Sequence, residues 1–183
     1  MGVFLHTAVL PGCTIEDIPR KIKSKSKNGY TFDLSGGQCF AGEKGVQILF
    51  EDDEADLGPL AGALSEAVNG PALFAYIYDS DTWGYYLYDR GQEIDCFDAV
   101  PEISFLETPT EEQLTRLAGK PEVLAQYFQV TSEEIQNYLT FWTEELCKEE
   151  NRAYPDDRFP YGDCWQLTDF LASLGWSWPF GTE

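Results

Sequence analysis

The chain is nearly empty of the side chains on which enzymes most often rely for proton transfer and metal binding. Of its 183 residues one is histidine, His6, and one is methionine. A lone imidazole excludes every metal site that needs two, and any Ser-His-Asp or Cys-His arrangement would have to use this one residue. His6 falls in the first apolar segment, on the side of Phe4 and Ala8 if residues alternate, and reads there as a structural side chain. No Cys-x-x-Cys pair occurs among Cys13, Cys39, Cys96, Cys147 and Cys164. Five widely spaced cysteines, an odd number, read as reduced thiols of a cytoplasmic protein, with no zinc or other metal site and no disulfide framework expected. Nucleophile elbow, phosphate loop and dinucleotide fingerprint are all missing. Gly36, Gly37 and Gly42 do not make GxGxxG, and no GxxxxGK[ST] occurs. No cofactor is therefore expected. No apolar run approaches the ~20 residues of a membrane span. Residues 1–10 lack a basic lead and a clear cleavage site, so they read as a first strand and not as a secretion signal.

Positive charge is scarce too, with 12 Lys and Arg against 32 Asp and Glu, a net of -20. Five of the twelve sit together, as Arg20, Lys21, Lys23, Lys25 and Lys27. Such a surface repels nucleic acid and anionic lipid and attracts basic partners. The basic cluster reads as a solvated loop. The run Glu51, Asp52, Asp53, Glu54 and Asp56 reads as a solvated loop ahead of a helix, or as a docking surface for a basic partner or a cation. Aromatic residues make up 15% of the chain, far more than an acidic disordered chain carries, so the chain should fold.

Hydrophobic period then divides the chain. Residues 3–10, 30–34 and 46–50 read as strands, with turns at the glycines between the last two. Thr14 and Asp17 suggest a cap, but Pro19 limits that helix to a short one. Residues 57–69 read as a helix with Pro59 in its first turn and Gly70 at its end. The strongest β region is 73–97, three segments with a tight turn at Asp89, Arg90, Gly91 and Gln92, an antiparallel meander. Beyond Pro101 the period becomes helical. Thr108 with Glu111 reads as a capping box with Pro109 at the first helical position. Residues 121–128 make a second helix. Thr131 with Glu134 caps a third, along which Ile135, Tyr138, Leu139, Trp142 and Leu146 recur. Asp163 with Gln166 caps a last one, with a stripe of Trp165, Phe170, Leu171 and Leu174. The expected fold is a single α+β domain over 1–183, an antiparallel sheet with a helical C-terminal half packed on it. A helical subdomain at 108–183 is the alternative division.

The expected recognition surface is the 79–89 hairpin region. Asp79, Ser80, Asp81, Thr82, Trp83 and Gly84 begin like a calcium loop, but Trp83 stands where an oxygen ligand is needed and Arg90 where a bidentate Glu is needed, so a solvated turn is the reading. Tyr86 and Tyr88 share one face of the strand, opposite Tyr85 and Leu87. Trp83, placed in the turn, is expected to be exposed. Asp79, Asp81, Trp83, Tyr86, Tyr88 and Asp89 together suit the gripping of a basic protein surface. The apolar stretch 176–180 is expected to pack back on the domain.

In composition, though in no motif, the chain is similar to small acidic bacterial immunity proteins that neutralise basic toxins. That likeness implies a cytoplasmic, non-catalytic binding module with a basic macromolecular partner. A carboxylate-dependent hydrolase or a small-ligand-binding protein is the alternative, and a structural subunit a third reading.

Overall fold

The computed structural model describes residues 2–23, 31–33, 37–50, 57–105 and 108–180. The fold is α+β: a six-stranded antiparallel sheet, with most helices in the C-terminal half. Eight strands are described. They are β1 (Leu5–Pro11), β2 (Lys21–Lys23), β3 (Thr31–Asp33), β4 (Gln38–Gly42), β5 (Gly45–Phe50), β6 (Pro71–Tyr78), β7 (Thr82–Asp89) and β8 (Gln92–Asp98). The large sheet runs β4-β5-β1-β6-β7-β8, and β2 pairs with β3 in a small ribbon. The helices are α1 (Leu57–Ala67), α2 (Pro101–Ser104), α3 (Glu111–Arg116), α4 (Pro121–Phe128), α5 (Glu144–Lys148) and α6 (Gln166–Ser173).

The meander of the sequence reading is β6-β7-β8, and its second turn falls at Arg90 and Gly91, both at positive φ. Several elements differ from expectation. The basic cluster is not wholly a loop, because Lys21–Lys23 form β2 against Thr31–Asp33. Lys25 and Lys27 lie outside the described residues, as does the acidic run from Glu51 to Asp56. Gln38–Gly42 form a strand where only turns were expected, since pairing with β5 outweighs the low β-propensity of glycine. Thr131 and Glu134 do form their capping box, but the long third helix does not follow. Single 3-10 turns at Ser132–Glu134 and Gln136–Tyr138 give way to irregular chain before α5. Ile135 between them sits at φ -128, outside the helical region. The backbone N–H of Trp142 is instead taken by the carbonyl of Ala99.

The next cap is shifted by two residues. Thr110 and Gln113 make the box, Thr110 Oγ1 accepting from the Gln113 N–H and Gln113 Oε1 from the Thr110 N–H. The far end of α3 is pinned by a bridge of Ala118 to Phe97, which leaves one and a half turns for the helix. Pro109 therefore precedes the cap.

The described chain divides into two compact units. One comprises Leu5–Tyr76 and Tyr85–Ile94. Its core joins the sheet face of Ala8, Leu10, Val46, Ile48 and Phe74 to Leu60, Ala61 and Leu64 of α1. The i, i+4 spacing of Leu60 and Leu64 puts both on one helix face. The other unit comprises Met1–Phe4, Ile77–Gly84 and Asp95–Glu183. It is centred on α6, in which Gln166 to Leu171 are all buried. That helix was expected to bury one stripe; its first six residues are all covered, with Trp83, Tyr138 and the 151–162 loop packed against it, and Ala172 stays exposed. The 176–180 stretch does fold back: Trp176 is buried and Trp178 meets Trp165 edge-on.

Candidate functional site

The β6–β7 turn is where sequence-distant segments of the C-terminal unit converge. Asp81 donates its N–H to the Tyr78 carbonyl at 2.9 Å, closing a two-residue turn. Its central residues, Asp79 and Ser80, have φ of 49° and 62°. Positive φ at both matches the right-handed strand twist, but Asn-Gly is the favoured pair there, and neither Asp nor Ser is free of strain. The neighbouring chain compensates. Val3 donates its N–H to Ser80 Oγ at 2.7 Å, and Ser80 returns its own N–H to the Val3 carbonyl at 3.0 Å. The Cys164 thiol lies close to the same serine side chain. Gly2 is seated on the turn so closely that a Cβ would fall 1.8 Å from Asp79 Oδ1.

The turn displays what the interior has no use for. Phe4 and Tyr78 meet edge to face, ring centroids 5.2 Å apart, yet stay 42% and 51% exposed. Asp79 and Asp81 beside them are exposed as well. The result is two aromatic rings and two carboxylates on one turn, with backbone fixed from three directions. Carboxylates accept hydrogen bonds from Arg and Lys, and aromatic faces attract their cations. Nucleophilic chemistry is poorly served. Ser80 is occupied as an organising hydroxyl, and burial, reinforced by Asp163, pushes the Cys164 thiol up to about 11.

Trp83 corrects the sequence reading. It is fully buried, with no exposed surface. The strand after the turn starts at Thr82, three residues earlier than expected, so Trp83 already lies in β7, packed 5.1 Å from Phe97 and 5.0 Å from Phe170. Its indole N–H donates to Gln166 Oε1 at 3.3 Å. The preceding Thr82 is buried too; its hydroxyl donates to Asp98 Oδ1 at 2.8 Å, and the same carboxylate accepts the Val100 N–H. These contacts anchor the strand directly behind the exposed turn.

Tyr86, Tyr88 and Asp89 belong to the other unit and do not join this turn. Tyr86 is half-buried and stacks on Tyr76. Tyr88 lies against α1, where Gly62 leaves room: a Cβ there would come within 3.0 Å of the tyrosine ring. Its hydroxyl donates to Glu93. Asp89 has its side chain largely covered, with Arg90 Nε 3.9 Å away. The aromatic face expected on display is thus mostly packing surface. Phe4, Tyr78 and Ser80 were missed by the sequence reading. The signal for Tyr78 was its place as the last ring before a polar turn; nothing in sequence brings Phe4 beside it.

A second polar cluster orders the 151–162 loop. Tyr138 donates its hydroxyl to Asp157 Oδ1 at 2.5 Å, and Asp157 Oδ2 accepts the Tyr154 N–H. Asp169 accepts from the Arg158 and Phe159 N–H groups and from Arg158 Nε. Burial pushes the Asp157 carboxyl up, against the lowering effect of its Tyr138 hydrogen bond. Burial and the Asp157 contact drive the Tyr138 phenol far above its usual range. The Tyr138 hydroxyl and the Asp157 and Asp169 carboxylates are all spent on bonds that order the loop, which is the pattern of a structural lock. His6 is buried beside Phe74. All five cysteines are free. Among the described residues no three His, Cys, Asp or Glu side chains cluster to hold a metal ion, and no helix is long and apolar enough to cross a membrane.

No protein-family model, curated protein or solved structure matches the chain.

Proposed function

We propose that this chain is a protein-binding module that docks a basic macromolecular partner, with the Tyr78 to Asp81 turn and Phe4 at the centre of the contact. The observation that carries the reading is the exposed Phe4–Tyr78 pair flanked by exposed Asp79 and Asp81. Large rings left half in water are the usual anchors of interfaces, and carboxylates around them select cations. The net charge of -20 supports the same partner class through long-range steering and disfavours nucleic acid. The burial of Trp83 moves the anchor from that residue to Tyr78 and Phe4. Five free thiols fit a reducing, cytoplasmic location. The likeness in composition to small acidic bacterial immunity proteins points to the same partner chemistry.

The test compares two baits, wild type and the double variant Asp79→Lys, Asp81→Lys, in capture from lysate with mass-spectrometric identification, followed by kinetics on the purified partner. A basic protein should be retained by wild type alone, and its association rate should fall as salt rises. Equal retention by both baits, or a partner whose affinity ignores salt, defeats the proposal.

A further inference from the structure

We infer that β4 is a self-pairing edge, through which two copies of this chain join their sheets about a two-fold axis. The two edges of the sheet are treated differently. At β8 the C-terminal end of the outer side is closed: Ala118 bridges Phe97, Asp98 donates its N–H to the Leu117 carbonyl, and Gly119 donates to that of Cys96. At β4 no described strand or helix closes the outer side, and all five residues from Gln38 to Gly42 are exposed. Natural edges are normally blunted by lysine, proline, a bulge or a cover. The sequence Gln38, Cys39, Phe40, Ala41, Gly42 contains none of the residues that do this, and its Phe40 ring is 50% exposed.

The register shows which backbone groups are on offer. Gly12 donates its N–H to the Lys44 carbonyl, one step beyond the Pro11–Gly45 pair. Antiparallel pairs alternate between those that exchange hydrogen bonds and those that do not. Val46, Ile48 and Phe50 therefore bond β1, and Gly45, Gln47 and Leu49 turn their groups to β4. Their partners there are Gly42, Phe40 and Gln38. The N–H and carbonyl of Cys39 and Ala41 consequently point outward.

Those two residues are self-complementary. In an antiparallel pairing centred on Phe40, Cys39 of one copy exchanges hydrogen bonds with Ala41 of the other, and the reverse. Phe40 then faces Phe40 in a non-hydrogen-bonded pair, the kind in which side chains come closest. No charge opposes a like charge, because the strand has none. Glu43 and Lys44 at the hairpin tip are of opposite sign. This is the isologous geometry of a two-fold dimer. The net charge of -20 opposes it, but that repulsion is screened within about 8 Å at physiological ionic strength. Self-pairing should hence strengthen as salt rises, the reverse of the docking reaction proposed above, so the two proposals fail independently.

The test is sedimentation equilibrium of the full chain from 10 µM to 1 mM in 0.05 and 0.5 M NaCl, with two variants. Ala41→Pro removes an outward N–H without touching the β5 bonds, and Phe40→Lys sets like charges face to face. Circular dichroism checks that each folds. Wild type should dimerise with concentration, several-fold more tightly at high salt, and both variants should stay monomeric. Should Ala41→Pro not fold, Phe40→Lys decides alone. Wild type that stays monomeric at 1 mM in high salt overturns the inference, as does a dimer that survives either folded variant.

Discussion

Trp83 and Tyr78 stand five residues apart and have opposite roles. Trp83 fills the space between Phe97 and Phe170, so Trp83→Ala leaves a cavity and an unpartnered Gln166 carbonyl oxygen. The expected loss is about 3–5 kcal/mol of stability, read from the midpoint of urea unfolding. Tyr78→Ala should cost less than ~1 kcal/mol, because half of its side chain is already in water and its main neighbour is the equally open Phe4. The same variant should weaken partner binding by roughly 1–3 kcal/mol, measured by calorimetry. Gly2→Ala separates the two effects. A methyl there collides with Asp79, so the turn must shift while the core is untouched. Loss of binding with unchanged unfolding would place the recognition geometry in the turn backbone.

At the scale of elements, the 151–162 loop gets its order from two carboxylates. Asp169 serves two backbone N–H groups as well as Arg158. Asp169→Ala strands those donors and should cost about 2–4 kcal/mol; the Arg158 charge adds little, being more than half exposed. Asp157 sets a pH dependence of its own. Its carboxyl is raised by burial, so the native state holds the proton more firmly than the unfolded chain does. Its contribution is full below the unfolded value near 3.8 and declines as pH rises through the native value. Tyr138 donates to the ionised form, so Tyr138→Phe should move the Asp157 titration further up, followed by carboxyl carbon NMR. Asp17 and Glu134, each accepting from the N–H of its capping threonine, titrate below their usual values. Their contributions run the other way, present above the unfolded pKa and lost as pH falls through the native one.

For the whole molecule, charge is the dominant variable. A net of -20 on 183 residues destabilises any compact state by self-repulsion. The midpoint of thermal unfolding should therefore rise between 0.02 and 0.5 M NaCl, measured by scanning calorimetry. Docking of a basic partner should weaken over the same range. A constant midpoint would mean that the acids are already compensated within the fold. The free thiols permit a further check on compartment and covalent state: titration of the denatured, unreduced chain should find five.

Local physical chemistry sufficed for some of this. The meander at 73–97, the helices at 57–67 and 121–128, the Thr131–Glu134 box and the turn at Arg90 all depend on contacts within a few residues, and each is legible as period, cap or turn chemistry. So is the sign of the net charge, since charge is additive along a chain. The α+β class follows from the order of those elements. The long helix read through Tyr138 and Trp142 failed because the Trp142 backbone bonds Ala99, some forty residues away. Trp83 was misplaced because β7 starts at Thr82, three residues before the aromatic run that marks the strand in sequence. Phe4, Tyr78 and Ser80 meet only through bonds spanning 77 residues between Val3 and Ser80, and no local pattern encodes such a pairing. Strand order, likewise, is what put β4 and β8 at the two ends of the sheet. Periodicity measures which side chains prefer burial; only the folded chain determines which neighbours bury them, and so which rings remain at the surface.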